Sequence, residues 1–376
     1  MKNIKTLIYH PAKRYLAHYY LKILKLLGCE VIGITGSAGK TTTKEMIASV
    51  LKTKYKVAYS LANIDPVYNI PNTILKTPLW TKKLVLEMGV EFPREMNFYI
   101  WLANPDVGVL TNVTWTHTQF FKNIEGVAAE KSKLIKSLPK NGLAILNKDD
   151  ARVAKLAHKT NAKVIYFGSG EKNKVHATDI KFTKNLTTSF ILHVGKEKTE
   201  VTLAVLGRHF VDLALAAAAV GNNSKIPLQK IREGLENFKS EPHRIHPHVL
   251  KNGTLILDDT YNANPEAVLR AIDVLKEVGK SKKTILVLGE MKELGSYAKS
   301  GHILVGNYAK KQKIAKLLSL GKETLYTVDA FGKGGKYFKS KREIVKELRS
   351  LKTPHTILIK GSRSMGMEEI VKTLIS

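Results

Sequence analysis

The sequence predicts an α/β protein in two successive strand-helix series. The first is built on a mostly parallel sheet with a smaller β-hairpin sheet beside it, and the second is a smaller α/β unit. Three observations predict this. First, apolar runs rich in β-branched residues, Val31-Ile32-Gly33-Ile34, Leu84-Val85-Leu86 and Val107 to Leu110, alternate with stretches of helical period, which places helices on both faces of a parallel sheet. Second, between His176 and Val205 the pattern changes to short alternating strands around Lys184-Asn185 and Gly195-Lys196, typical of hairpins. Third, the hydrophobic period lapses around Phe238 to Arg244, and a new strand-helix series begins at Thr254-Leu255-Ile256-Leu257-Asp258-Asp259. A chain of 376 residues is long for one core, so the lapse is read as a domain boundary.

Taken in order, residues 1 to 28 form a short basic segment. Leu16, Tyr19, Tyr20, Ile23, Leu24, Leu26 and Leu27 recur at helical spacing over residues 12 to 27, with Lys13, Arg14, Lys22 and Lys25 among them. One reading lays this helix on an anionic membrane as a peripheral contact, and the other packs it on the domain that follows. Packing is the commoner outcome, because an apolar stripe beside a core needs no further partner.

The next stretch organises the chain. Val31 to Ile34 end in Thr35-Gly36-Ser37-Ala38-Gly39, and Lys40-Thr41-Thr42-Thr43 then open a helical pattern. An ordinary strand-turn-helix corner needs one glycine but has no use for a lysine and three threonines at the helix start. A phosphate loop uses the lysine and the hydroxyl after it, since backbone N-H groups converge on phosphate oxygens at a helix N-terminus while the lysine reaches the terminal phosphates and the first hydroxyl faces Mg²⁺. Gly36, Ser37, Ala38, Gly39, Lys40, Thr41 and Thr42 are therefore the expected nucleotide contacts. The strict spacing wants glycine at position 34, where this chain has isoleucine.

A helix over 42 to 54 and a strand over 56 to 60 are expected next. The polar, turn-rich segment from Asn63 to Thr73 reads as a binding loop. Lys83-Leu84-Val85-Leu86-Glu87 is a buried strand running into a carboxylate, where α/β sheets place metal and nucleotide chemistry. Glu87 is a metal candidate on that ground, and a solvated strand-end carboxylate is an equal alternative. The strand Val107 to Leu110 runs into Thr111-Asn112, followed by a helix at about 124 to 137, a strand near 142 to 146, and a closing helix of small residues, Leu213 to Val220. Strands are expected at 283 to 288, 324 to 328 and 355 to 359 in the last third. The domains read as 1 to 28, 29 to 240 and 241 to 376.

The formal charge of +29 suits nucleic acid, an anionic membrane or anionic substrates. Its lysines are scattered through every segment and no nucleic-acid-binding signature is present, so no nucleic-acid partner is expected. A single cysteine, Cys29, rules out an intramolecular disulfide and fits a reducing compartment. Met1 to His10 lack the features of a signal peptide and no apolar run has the length of a membrane span, so a cytoplasmic protein is expected.

Several segments in their order resemble the Mur ligase superfamily, ATP-dependent amide-forming enzymes of cell-wall precursor synthesis. They are Ile34 to Thr43, Leu86-Glu87-Met88-Gly89, Thr111-Asn112 with His117, Leu206-Gly207-Arg208-His209, Asp258 to Pro265, Leu288 to Gly295 and Lys360 to Met365. Tyr261-Asn262-Ala263-Asn264-Pro265 and Glu293-Leu294-Gly295 are similar to the MurF branch, whose members add D-alanyl-D-alanine to a UDP-muramoyl-tripeptide. The resemblance implies a central P-loop ATPase domain, a C-terminal Rossmann-like α/β domain closing over it, ATP with two Mg²⁺ ions, and an acyl-phosphate intermediate. By matching position, Thr41 and Glu87 would hold the Mg²⁺ on the β/γ-phosphates, and His117 a second Mg²⁺. Lys131 matches the lysine that the family carbamylates, which makes it an oxygen ligand. Lys40, His117, Lys131 and Arg244 would be catalytic. Arg244 and Asp259 would contact phosphate and ribose, Lys292 and Ser362 the carboxylate of the incoming amino acid or dipeptide, and Asn112, Asn262 and Asn264 the substrate.

The chain departs from the family in three places. About thirty residues precede the phosphate loop where the family has a much longer UDP-binding domain, too few to enclose a uridine diphosphate on their own, so a lipid-linked peptide is an alternative donor. Phe210 and Leu213 stand where relatives carry asparagines, one of which contacts adenine, and Asn69 stands where they carry glycine, with a left-handed turn expected to be kept. Rival functions are a ligase acting on another carboxylate, such as a γ-glutamyl polymer or a pseudomurein precursor, and a non-catalytic nucleotide-binding subunit.

Overall fold

The computed structural model describes residues 4–61, 65–115, 118–279 and 283–376, with side chains left aside for 4–10, 118 and 119. Helix α1 (Ile4–Leu26) leads into β1 (Glu30–Thr35), α2 (Lys40–Lys52), β2 (Val57–Tyr59), α3 (Pro66–Lys76), β3 (Lys83–Glu87), α4 (Glu95–Ala103) and β4 (Val107–Leu110). There follow α5 (Thr118–Phe121), α6 (Ile124–Lys136), β5 (Leu143–Asn147), α7 (Ala151–Ala154) and β6 (Lys163–Phe167). Three antiparallel strands, β7 (Val175–Phe182), β8 (Thr188–Val194) and β9 (Glu197–Leu203), precede α8 (Arg208–Asn223) and α9 (Leu228–Glu236).

The first sheet runs β2-β3-β1-β4-β5-β6-β7-β8-β9. Its first six strands are parallel, as near-continuous apolar runs buried on both faces require. Register then fixes the site. Ile34 pairs with Glu87 and Thr35 with Leu110, so the ends of β1, β3 and β4 deliver Gly36, Glu87 and Thr111 to one edge of the sheet. The hairpins do not form a separate smaller sheet. A pair at Phe167 and Val175 joins β7 to β6, and β7, β8 and β9 continue the same sheet, giving the open edge of β6 a partner.

The second sheet, β10-β11-β15-β12-β13-β14, is parallel except at its β10 edge. Its strands are β10 (His246–Val249), β11 (Leu255–Asp259), β12 (Lys283–Gly289), β13 (Lys316–Leu320), β14 (Gly335–Phe338) and β15 (His355–Lys360), and its helices are α10 (Pro265–Val278), α11 (Ala298–Lys311), α12 (Leu325–Phe331), α13 (Lys341–Arg349) and α14 (Glu368–Ile375). Two apolar layers, one around Leu257, Leu286 and Leu358 and one around Ile256, Val287 and Ile359, lie on its two faces.

Several expectations need correction. Residues 66 to 73, expected as part of a loop, belong to α3. The Asp65 carboxylate accepts the Val67 N-H at 2.9 Å and Pro66 takes the first helical position, which together start a helix. Asn69 is therefore helical and makes no left-handed turn; its side chain donates to the Leu61 carbonyl and accepts from Thr73. Asn63 and Ile64 lie outside the described residues. Residues 325 to 328, expected in a strand, open α12, and the strand is β13 just before it, because a short apolar run does not reveal its own period. The closing helix α8 starts at Arg208, earlier than Leu213.

Helix α1 packs one face on the first domain. Ala17, Leu21 and Leu24 are buried, the Tyr20 hydroxyl donates to the Thr77 carbonyl, His18 stacks on Trp101 at 4.8 Å, and Lys25 pairs with Asp106 at 2.9 Å. Among the described residues no helix is long and apolar enough to cross a membrane.

Candidate active site in the cleft between the two sheets

The phosphate loop is shaped by contacts with the end of β4. Gly36 has φ 154°, and a Cβ there would lie 1.9 Å from Thr111 Oγ1. Gly39 has φ 80°, and a Cβ there would meet the Leu213 side chain at 2.6 Å. Both glycines are thus required by space as well as by backbone conformation. Asn112 ties the loop down, accepting the Ala38 N-H at 2.9 Å and donating to the Ala38 carbonyl at 3.0 Å. The Ser37 hydroxyl donates to the Thr114 carbonyl and accepts the Thr114 N-H. Asn112, expected at the substrate, therefore braces the phosphate loop. The amide of Thr43 closes on the Gly39 carbonyl at 2.8 Å, and the N-H groups ahead of it in the first turn of α2 have no carbonyl a turn earlier in that helix, the arrangement that receives an anion.

Around the loop the expected charges converge. Thr41 Oγ1 donates to Glu87 Oε1 at 3.1 Å, and the Glu87 N-H is held by Ser60 Oγ at 3.0 Å. Burial holds the Lys40 ammonium below the ordinary lysine range, against the pull of Glu87. Lys131, on α6, is fully buried, and burial followed by the Lys40 charge holds its amine well below the usual range. His117 lies outside the described residues.

Across the cleft stands the second domain. The cavity measures ≈ 830 Å³ and is lined by Ser37 to Thr42 and Glu87 on one side and by Arg244, Asp259, Asn262 and Asn264 on the other. The Arg244 guanidinium lies 4.1 Å from the Tyr261 ring centre, and its Nε is buried with no hydrogen-bond partner among the described residues. On either side of it His243 (φ 66°) and Ile245 (φ 50°) are left-handed, a strained conformation for a β-branched residue such as Ile245. His243 is anchored to Asp258 at 2.7 Å. A strained, doubly anchored turn thus presents Arg244 to the cleft.

The remaining expected residues divide. Asn264 caps α10 by accepting the Ala267 N-H at 2.9 Å, and Asn262 accepts the N-H of Ala263. Ser362 Oγ accepts the Lys292 N-H at 2.8 Å, which brings these two together; neither lines the cleft, and the exposed Lys292 ammonium pairs with Glu290 at 2.5 Å. Sequence reasoning missed Lys360. It is buried, bonded to Asp259 Oδ2 at 2.5 Å and to the Asn262 carbonyl at 2.8 Å, and fixes both residues at the cleft wall. It opens the Lys360 to Met365 segment, but nothing local marks a buried lysine. Phe210 and Leu213 are buried and line the cleft beside the loop, where Leu213 packs against Gly39.

Asp212, on α8, carries a separate consequence. Burial pushes its carboxyl up from 3.8 to about 6, with Arg270 opposing and Asp149 reinforcing. The folded protein therefore holds this proton more tightly than the unfolded chain. Stability from this group is present below pH 3.8 and is lost as pH rises to about 6. Asp212→Asn is expected to stabilise the protein at pH 7 by on the order of 2 kcal/mol and to have much less effect in acid, as read by denaturant titration at both pH values. An equal effect at both would reject the assignment.

A phosphate loop whose metal-side carboxylate and opposing arginine come from two α/β domains defines an enzyme that handles a nucleoside triphosphate in an interdomain cleft. Residues 34–221 match the Mur ligase middle domain, and residues 243–363 match the Mur ligase glutamate ligase domain. The chain belongs to the Mur ligase family and is an ATP-dependent, ADP-forming ligase. It is 33% identical over 349 residues to the UDP-N-acetylmuramoyl-tripeptide–D-alanyl-D-alanine ligase of Escherichia coli K12, covering 92% of this chain and 76% of that one. The crystal structure of MurF from Acinetobacter baumannii superposes with a TM-score of 0.90 at 26% identity, covering 97% of this chain and 80% of the other. MurF from Thermotoga maritima in complex with ADP superposes with a TM-score of 0.86 at 27% identity, covering 96% and 83%.

Proposed function

We propose that the chain joins D-alanyl-D-alanine to the free carboxylate of a UDP-N-acetylmuramoyl-tripeptide at the cost of ATP, in peptidoglycan precursor synthesis. The observation that carries this is the alignment of the phosphate loop, Thr41 and Glu87 at one sheet edge, facing Arg244 and Asp259 across the cleft. The similarity to ligases of that name supplies the substrates. We take residues 29 to 240 and 241 to 376 as the two catalytic domains, with 1 to 28 as a preceding segment.

In this reading the carboxylate attacks the γ-phosphorus, ADP leaves, and the amine of the dipeptide attacks the resulting acyl phosphate. The tetrahedral intermediate then loses a proton and phosphate to give the amide. Lys40 and the first-turn amides of α2 orient the phosphates, and Arg244, held against Tyr261, brings positive charge to oxygens where negative charge develops. Asp259, fixed by Lys360, is the proposed ribose contact. Lys292 and Ser362 are the proposed anchor of the dipeptide carboxylate, with Asn262 and Asn264 on the donor side.

The all-oxygen pair of Thr41 and Glu87 fits a magnesium ion, a hard cation. When bound, that ion neutralises charge on the β/γ-phosphates. His117 is the proposed ligand of a second ion. A neutral amine and CO₂ give a carbamate and a proton, so the depressed Lys131 amine suits carbamylation.

The test is phosphate release from ATP with UDP-N-acetylmuramoyl-tripeptide and D-alanyl-D-alanine, each also omitted in turn. Release that needs both substrates is expected. Release only with a γ-glutamyl, pseudomurein or lipid-linked carboxylate would reassign the donor.

A further inference from the structure

The two faces of α1 do different work. Residues 17, 21 and 24 bury one face, yet Tyr15, Leu16, Tyr19, Ile23, Leu26 and Leu27 remain exposed, with Leu16 at 61% and Leu26 at 87%. At 100° per residue these six fall within about a third of the helix circumference, so they form one stripe along its outer side. Neighbouring elements extend it. Exposed Trp101 of α4 meets Tyr15 at 5.3 Å between ring centres. On the other flank Lys82 Nζ bonds the Leu27 carbonyl, and the adjacent Trp80 is 69% exposed. The result is an outward apolar patch with tyrosine and tryptophan at its borders.

Its charge is one-sided. Residues 4 to 26 contain Lys5, Lys13, Arg14, Lys22 and Lys25 and no Asp or Glu. The carboxylates close by are already matched, Asp106 with Lys25 and Glu30 with Lys83. Exposed Lys22 on α1 and exposed Lys82, bonded to the Leu27 carbonyl, therefore border the patch without compensating acids on α1. A second copy of a +29 chain would bring the same sign to this surface. An anionic surface with an apolar interior complements both features, since it takes the apolar side chains below its headgroups while aromatic rings and lysines sit at the headgroup level.

We propose that this face of α1 docks the protein reversibly on an anionic lipid bilayer. It stands apart from the cleft and does not depend on the ligase assignment. The test is co-sedimentation of the full chain with vesicles of phosphatidylcholine alone or mixed with phosphatidylglycerol. Binding to the mixed vesicles only, weakened by salt, is expected. The triple variant Leu16→Gln, Ile23→Gln, Leu26→Gln changes only exposed side chains. It should lower partitioning by roughly tenfold or more, with ATP-dependent phosphate release unchanged. The pair Lys22→Glu and Lys82→Glu should weaken binding to the anionic vesicles specifically. No binding to the mixed vesicles, or equal binding by the triple variant, overturns the proposal. So does a dimer seen by light scattering that the triple variant dissolves, which would assign the face to a second copy.

Discussion

Glu87→Ala is expected to lower ATP-dependent product formation by about a hundredfold or more while the protein stays folded. The carboxylate ends β3 in register with Ile34, and its Oε1 lies 3.1 Å from the Thr41 hydroxyl. Removing it leaves Thr41 without its oxygen partner and takes away the negative charge that opposes the lowering of the Lys40 pKa. Glu87 is only half-buried and its backbone N-H remains held by Ser60, so the sheet has no reason to unfold. Two readouts separate the roles. Turnover should fall, and the magnesium dependence of nucleotide binding should flatten. Near-normal turnover would return Glu87 to the solvated strand-end carboxylate that the sequence alone equally allowed.

Lys131→Ala is expected to be nearly inactive and to recover part of its activity with acetate or formate. The side chain is fully buried, so the truncation leaves a space that a small carboxylate can enter. Burial, followed by the neighbouring Lys40 charge, lowers the pKa of the amine well below that of an ordinary lysine, which favours its neutral form. Only the neutral amine combines with CO₂. Activity of the unaltered protein should accordingly fall in CO₂-depleted buffer, and isotope-labelled bicarbonate should give a carbamate resonance that the alanine variant lacks. A thermal melt guards against simple unfolding. Full activity of Lys131→Ala would show the residue to be a packed core lysine, and loss of activity without carboxylate rescue would show it to be structural.

The phosphate loop was legible because its chemistry is local. Thr35 to Thr43 carry the turn glycines, the lysine and the hydroxyls in consecutive positions, and the fold adds only Thr111 and Leu213 as the surfaces that make Gly36 and Gly39 obligatory. The α3 segment was misread because Asn, Pro and Tyr suggest a turn, while the decisive feature is one side-chain hydrogen bond, Asp65 to Val67. Asn112 and Asn264, which the resemblance places at the substrate, each have a protein partner that the sequence does not show. A carboxamide has the same hydrogen-bonding groups whether it meets a substrate, an Ala38 peptide or a helix N-terminus, and only the fold says which is nearest.

By itself the sequence determined the alternation of strands and helices, the lapse between the two series, and the nucleotide loop, all of which depend on periodicity or on neighbouring residues. Tertiary structure alone decided that the hairpins extend the main sheet through Phe167 and Val175, that Lys360 is the buried partner of Asp259, and that Arg244 faces the loop from a strained turn. Those facts join residues roughly a hundred or more positions apart or turn on which sheet edge is left open. A charge or an edge has no local signature, because its energy depends on what the rest of the chain brings beside it.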